Sequence, residues 1–433
     1  MTKPASRRAR RPLRAAAALS AVAVLAAAGC TVESKDSGTA APGAGPAQST
    51  AAPGLTSDTI KLGIAYPDLD AVKAFVNIDN GNYETAFRAV VDNINAGGGI
   101  GGRKIEPVFA KVNLLSPAAQ QETCVKLTQD AKVFAVLFAM PYDATCYVQT
   151  NRTAAIGTPL TKEQYAQAQA PAFAYTSAEA AAEAVRALAA HGDFAGRKVA
   201  VAAITTDQAQ VDQQVTPALQ VAGITPVVTG YIPANATDPA AFAQQTNVLF
   251  QKAQASGADT LLIVGGAAHS LPQALEKASW RPRLMFTTVP SSYLGAKGQH
   301  DFSILKDAVA AEPLTTWQDD QELMSCAAAL GVADPSLNLK LLDPRTVPAG
   351  QPNPGASLQI ACQTLTLFKA IAGRAGKDLN YASFQQAGQT LGGLHIPGYL
   401  DPANYTPQTP NGAIPVAVVG YDPAGNRFGR ATN

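Results

Sequence analysis

The chain has 433 residues, with 33 lysines and arginines against 32 acids and a hydrophobic share of 47%. The first 29 residues hold six basic groups and no acid, so 27 basic residues face 32 acidic ones in the rest, a net charge of −5. That balance excludes the basic face that nucleic-acid binding needs, and the length exceeds what one hydrophobic core serves, which suits two domains. At the N-terminus Arg7, Arg8, Arg10, Arg11 and Arg14 precede Ala15–Ala28, an apolar run of 14 residues. Such a run fits a secretory signal and falls short of the roughly 20 residues of a membrane-spanning helix.

The run closes on Leu25-Ala26-Ala27-Ala28-Gly29-Cys30. Small residues leading into a cysteine resemble a bacterial lipoprotein signal, in which Cys30 is acylated and becomes the mature N-terminus; Ala27 departs from the usual Leu. Residues 1–29 then form a lipoprotein signal peptide and 30–54 a flexible tether. Thr31–Pro53 is mostly Ser, Thr, Ala, Gly and Pro, with too few apolar side chains to order itself. The pairs Arg7-Arg8 and Arg10-Arg11 leave Sec and twin-arginine export both open. By either route the mature chain works outside the cytoplasm, lipid-anchored to the outer face of the bacterial cell membrane.

From Leu55 the pattern alternates strand and helix. Thr59–Ala65 is a β-like run; Ala86, Phe87, Val90, Val91 and Ile94 recur at helical spacing, and Gly97-Gly98-Gly99 stops that helix. Lys104–Phe109 reads as a strand, Glu122–Asp130 as a helix, and the almost wholly apolar Val133–Met140 as a buried parallel strand. Ala144–Ala154 reads as a helix and Ile156–Leu160 as a strand end. A second series opens where Thr176 and Glu179 have capping-box spacing, ahead of a helix to Ala190. Lys198–Ile204, Ile224–Thr229, Thr260–Val264 and Arg283–Thr288 read as strands, with helices at Val211–Val221, Phe242–Ala255 and Pro272–Ala278 between them. Ser357–Ala372 is a long packing helix and Val416–Tyr421 a closing strand. Two such series predict an α/β chain of two doubly wound parallel-sheet lobes, whose ligands sit beyond the carboxyl ends of the strands.

Gly97-x-Gly99-x-x-Gly102 satisfies a dinucleotide pattern, but it follows a helix and precedes a strand. Phosphate cradling needs the reverse order, so these glycines are a helix stop and a turn. No P-loop, nucleophile elbow or paired-histidine zinc motif is present in the sequence. Besides Cys30 there are Cys124, Cys146, Cys326 and Cys362, an even number that predicts disulfides in an oxidising compartment. Of three possible pairings, Cys124–Cys146 and Cys326–Cys362 are favoured because each joins neighbouring helical segments. His191, His269, His300 and His395 are scattered and no Cys-x-x-Cys exists, so neither a metal site nor a cofactor is expected.

Asp92-Asn93-Ile94-Asn95-Ala96-Gly97-Gly98-Gly99-Ile100-Gly101-Gly102-Arg103-Lys104-Ile105-Glu106 resembles a segment of the type I periplasmic binding proteins, above all the branched-chain amino acid (Leu/Ile/Val-type) substrate-binding lipoproteins of ABC transporters. Lys61-Leu62-Gly63-Ile64-Ala65, Gly196-Arg197-Lys198-Val199-Ala200-Val201 and Ala255-Ser256-Gly257-Ala258-Asp259-Thr260-Leu261 are similar to other segments of that family. The resemblance implies two lobes joined by three crossovers, near Ala174, Val309–Leu314 and Leu394–Ile396, with the ligand in the interlobe cleft. The N-terminal lobe would be 56–174 plus 312–394 and the C-terminal lobe 175–311 plus 395–433, with Leu337–Pro354 an excursion on the first. It also implies a monomeric, non-enzymatic protein that delivers a small molecule to an ABC permease and its ATPase. A sensor module of the same fold, serving a signalling partner, is the first alternative and a hydrolase the remoter one.

The ligand residues implied lie in loops after the strands. They are Tyr66 and Asp68, Tyr142 and Asp143, and Thr161 and Lys162 in the first lobe; in the second they are Thr205, Asp207, Gln208 and His269. Asp68 and Asp143 also suit turns or helix caps. The family's serine pair and its glutamate near Ser270 are absent, and a buried ammonium without a carboxylate costs several kcal/mol. An aromatic, amide-bearing or anionic molecule therefore stands beside amino acids as the expected ligand.

Overall fold

The apolar runs of the first half become five parallel strands in the computed structural model: β1 (Thr59–Pro67), β2 (Lys104–Val112), β3 (Ala135–Phe138), β4 (Ala154–Ile156) and β5 (Ala172–Phe173), ordered β2-β1-β3-β4-β5. The structure describes residues 52–72, 79–113, 116–140, 142–233, 238–295, 298, 300–337, 344, 347 and 351–430, within one unit spanning Thr50–Asn433. Cys30, the signal and most of the tether lie outside the described residues, as does most of Leu337–Pro354.

A strand's side chains alternate between faces, and β1 uses both. Ile60, Leu62 and Ile64 enter one core. Ala65 enters another with Leu127, Val136 and Phe138. Helices therefore cover the sheet on both sides: α1 (Tyr83–Ala96), α2 (Pro117–Val125) and the short α3 (Lys162–Ala166) come from this half of the chain.

The second half repeats the plan. After α4 (Ala180–His191), the strands β6 (Val199–Ile204), β7 (Val228–Ile232), β8 (Thr260–Val264), β9 (Arg283–Phe286) and β10 (Val309–Pro313) pair in parallel in the order β7-β6-β8-β9-β10. Between them run α5 (Gln208–Gln210), which continues through a π-turn into α6 (Thr216–Val221), then α7 (Pro239–Ala255), α8 (Leu271–Glu276) and α9 (Ser291–Gly295). Leu261 and Ile263 of β8 face one core, while Leu262 and Val264 face the other.

The chain then returns to the first core. α10 (Gln321–Ala333), α11 (Pro354–Ala375) and α12 (Tyr381–Gln389) place Leu323, Leu358, Leu365, Phe368 and Phe384 around Phe134 and Phe173. A small pair, β11 (Gly392–Leu394) and β12 (Ala403–Tyr405), follows, and then β13 (Val416–Asp422) and β14 (Arg427–Arg430) extend the second sheet antiparallel to β10. The third crossing differs from expectation. Ile396, Ala403, Tyr405 and Ile414 pack in the first core, so 395–414 stays with the first sheet and the chain passes over only before Val416.

Three other local expectations shift for identifiable reasons. Thr176 and Glu179 make no capping box: Ser177 Oγ accepts the Glu179 N–H at 3.0 Å and donates to Glu183 at 2.6 Å. The strand expected at Ile224–Thr229 starts at Val228, because Ile224 N–H closes the preceding helix on Leu219 and Pro226 has no N–H to pair. The helix expected to Ala154 stops before Arg152, whose φ of +48° is left-handed, and Ala154 opens β4.

The cysteines pair as Cys124–Cys146 and Cys326–Cys362, with Cα atoms 6.4 and 6.1 Å apart. The first ties α2 to the turn after β3, and the second ties α10 to α11. Among the described residues no helix is long and apolar enough to cross a membrane.

Candidate ligand-binding site

β1 delivers Tyr66 and Asp68 to the carboxyl edge of the first sheet. Tyr66 is 5% exposed, stacks on Tyr83 at 5.9 Å and donates to Glu84 Oε1 at 2.5 Å. Burial, and then that acid, hold its phenol well above the ordinary range. Asp68 Oδ1 lies 3.8 Å from Lys111 Nζ but accepts no hydrogen bond. These groups border a hollow of about 660 Å³ that Asp79, Tyr83, Lys111 and Ser357 also line.

Beyond β3, Tyr142 is fixed through its backbone. Its N–H donates to Thr158 Oγ1 at 3.2 Å, and that hydroxyl donates back to the Tyr142 carbonyl at 2.8 Å. Its own phenolic oxygen is buried with no hydrogen-bond partner. Desolvation raises its pKa, with Tyr83 and Tyr147 adding to the rise. The neighbouring candidates are engaged locally. Asp143 accepts from both the N–H and the hydroxyl of Thr145, at 2.9 and 2.5 Å. Thr161 caps α3 in a capping box with Gln164, and Lys162 is the exposed first residue of that helix.

On the second sheet, Asp207 Oδ2 accepts the Gly266 N–H at 2.7 Å, which joins the loops after β6 and β8. Gly265 is obligatory there, because φ is +55° and a Cβ would sit 2.4 Å from the Asp207 carboxylate. His269 is exposed, yet desolvation still lowers its imidazole pKa, with the charge of Asp207 pulling the other way. Thr205 donates to the Ile232 carbonyl at 3.1 Å, and Gln208 is exposed. The structure thus brings Asp207 and His269 together, and sets Tyr66, Asp68 and Tyr142 on the opposite sheet's edge.

Several groups at these edges escaped the sequence reading. Tyr175 leaves β5 at the first sheet's carboxyl edge and packs 6.3 Å from Tyr399. Glu312, near the carboxyl end of β10, accepts the Val289 N–H at 3.1 Å. Burial pushes its carboxyl up to about 6, and the charge of Glu312 adds to the burial that lifts Tyr399 to about 12. Thr176 Oγ1 and Gln214 Oε1 are buried without hydrogen-bond partners. The signal for Glu312 was there to read: it is a charge inside the otherwise apolar run Val309–Leu314.

A second hollow, of about 680 Å³, lies at the opposite end of the second sheet. Two of its three arginines are committed: Arg283 to Asp193 at 2.6 Å, and Arg281 to the carbonyls of Leu275, Ala278 and Trp280. Among the described residues no cluster of His, Cys, Asp and Glu is placed to hold a metal.

Two doubly wound sheets, with three passes of chain between them and polar groups gathered at their carboxyl edges, define the type I bilobal binding proteins. A model of the family described as "Periplasmic binding protein" matches residues 59–297, more than half of the chain. The chain belongs to that family, whose members work outside the cytoplasm. Solved structures agree on the fold. A substrate-binding protein of Desulfitobacterium hafniense in complex with Leu superposes with a TM-score of 0.59 at 15% identity, covering 86% of this chain and 100% of that one. A branched-chain amino acid binding protein of Streptococcus pneumoniae in complex with isoleucine gives 0.58 at 13%, covering 86% and 98%. A solute-binding protein of R. palustris in complex with 4-hydroxybenzoate gives 0.62 at 16%, covering 87% and 96%. No curated protein matches the chain by sequence.

Proposed function

We propose that this protein is the solute-binding component of an ABC importer, tethered through a lipid on Cys30 and a spacer to residue 54. It captures a small molecule between two lobes and presents the closed form to a permease. The observation that carries this reading is where four of the seven buried polar atoms without a hydrogen-bond partner sit among the described residues, the others being on Thr246, His300 and Asn353. Buried polar atoms are nearly always hydrogen-bonded, so each orphan needs a partner from elsewhere. Asp68 Oδ1, Tyr142 Oη and Thr176 Oγ1 are such orphans, and each belongs to a segment just leaving the carboxyl end of a strand in the first sheet. Gln214 Oε1, on the helix after β6, is another, and its amide nitrogen holds Ala178 of the first crossing at 3.0 Å. Orphans at these places fit a ligand that satisfies them on binding.

Tyr142 and Thr176 would contact the ligand from the first lobe, and Asp207, His269 and Glu312 from the second. Asp143 closes a turn on Thr145, and Thr161 caps α3. The solutes held by the similar structures, Leu, isoleucine and 4-hydroxybenzoate, set the size range. The closed state gains whatever affinity the second lobe adds, and this is how binding energy becomes a shape for the permease.

The test is a thermal-shift screen of the purified chain over amino acids, amines, aromatic acids, amides and polyols. A solute at 100 times its dissociation constant adds about 2.7 kcal/mol. Failure of every class to stabilise the protein would overturn the reading. Unchanged affinity in Asp207→Ala would remove the second-lobe contact.

A further inference from the structure

We infer that the hollow at the amino end of the second sheet is an anion site, separate from the solute cleft, that takes a phosphate group. Strands β6, β8, β9 and β10 run parallel, so the turns that lead into them meet at one edge. Arg197 stands just before β6, Arg281 and Arg283 enter β9, and Lys306 precedes β10. Residues far apart in sequence thereby line one hollow of about 680 Å³. Four of its eleven lining residues are Lys or Arg and one, Asp307, is an acid. That is a local reversal of charge, because acids outnumber bases in the chain beyond residue 29.

The bonds these groups make decide which of them a ligand can use. Arg283 is neutralised by Asp193 at 2.6 Å, and its Nε donates to the Asp307 carbonyl at 3.0 Å, which fixes the turn that carries Lys306. Arg281 donates to the carbonyls of Leu275, Glu276 and Trp280; these hold the guanidinium in place without cancelling its charge. Among the described residues the side chains of Arg197 and Lys306 have no hydrogen-bond or ion-pair partner. Asp301, exposed nearby, is engaged by Ser303, whose hydrogen bonds and then the charge of Arg281 hold its carboxyl below the ordinary range. Set against Asp301 and Asp307, the charges of Arg197, Arg281 and Lys306 leave the hollow positive. Like charges around one hollow repel, and an anion between them replaces that repulsion with attraction. Guanidinium and ammonium groups arriving from separate turns present donors in several directions. A tetrahedral phosphate, with oxygens on every side, accepts from all of them, whereas a flat carboxylate meets one fork. Phosphate seated there ties the turns before β6, β9 and β10 together, at the end of the lobe away from the solute.

The probes are inorganic phosphate, glycerol 3-phosphate, acetate, and vesicles of phosphatidylglycerol or phosphatidylcholine. They are presented to the unlipidated full chain in about 0.15 M salt, where bare surface charge is screened over about 8 Å. Saturable titration heat with a soluble phosphate assigns the site to a free phosphate; flotation with phosphatidylglycerol vesicles alone assigns it to a lipid headgroup. Arg197→Ala with Lys306→Ala should weaken the phosphate probe about tenfold or more, as loss of two charge-assisted contacts requires. Lys252→Ala with Lys369→Ala, which removes the same charge from exposed positions elsewhere, should not. Circular dichroism confirms that each variant is folded. Absence of binding by every phosphate probe at that salt would overturn the inference. So would acetate binding as tightly as phosphate, or unchanged affinity in the folded Arg197/Lys306 variant. None of these outcomes bears on the solute-binding reading, which the solute screen decides separately.

Discussion

The two sheets meet the solvent with different chemistry at the same end. The first sheet's carboxyl edge is aromatic and hydroxylic, with Tyr66, Tyr83 and Tyr142, and its surroundings are braced covalently by both disulfides. The second sheet's edge is acidic, with Asp207 held by the Gly266 amide and Glu312 by that of Val289. At the opposite end of that sheet Arg283 pairs with the buried Asp193 at 2.6 Å. The first edge thus adds rings and hydroxyls to paired charges such as Lys111 with Asp68, whereas the second holds its acids on backbone amides.

The largest test of that contrast is covalent. Each disulfide stabilises by about 3–4 kcal/mol in the chain-entropy model for loops of these lengths, so Cys326→Ser with Cys362→Ser should lower stability by that amount in denaturant titration. Loss of near-ultraviolet signal confined to first-core aromatics would sharpen the comparison; loss spread evenly over both cores would break it. Next comes the second sheet's brace. Asp193 is 4% exposed, and Asp193→Ala strands the Arg283 charge, with an expected cost of about 3 kcal/mol by chemical unfolding.

The third prediction concerns pH. Burial raises Glu312 from 4.5 to about 6, so between those values the folded chain holds a proton that the unfolded chain has released. Its contribution is full below about 4.5 and is lost as pH rises through about 6, a decline of about 2 kcal/mol that Glu312→Gln should abolish. Denaturant midpoints of the two proteins across that window give the answer, and parallel curves would refute it.

Two smaller effects divide site from scaffold. Gly265→Ala forces a left-handed residue against Asp207, at about 1–2 kcal/mol, and should weaken solute binding as well. Thr161→Ala removes a capping box, at about 1 kcal/mol, and should leave affinity untouched. A change in affinity on Thr161→Ala would restore that residue to the ligand set.

The contrast also explains what the sequence disclosed. Alternation is local, so β1, β8 and the face of α1 could be read directly from residues such as Leu62, Ile263 and Phe87. Helix stops were legible at Gly97, and the choice of disulfide partners from neighbouring helices. Hidden were the effects that depend on a partner far along the chain. Ile396 and Tyr405 look equally suited to either core, and only packing assigns them. Asp143 and Thr161 carry the residue types of a ligand site but spend them on their own helix starts. Glu312 stands out as a charge in an apolar run, but the group that holds it, the Val289 N–H 23 residues earlier, is visible only in the fold.

One feature of the crossings reaches further. Leu400 N–H bonds to the Leu314 carbonyl, Thr316 N–H to that of Gly398, and the Tyr405 hydroxyl to that of Ala174, so a segment packed in the first core fastens the first two passes to each other. Severing one pass leaves the halves connected by two continuous ones and by these bonds. A single proteolytic nick near Asp319 would therefore go unnoticed in the native protein, and the fragments would part in denaturant without reduction, because each disulfide closes within one fragment.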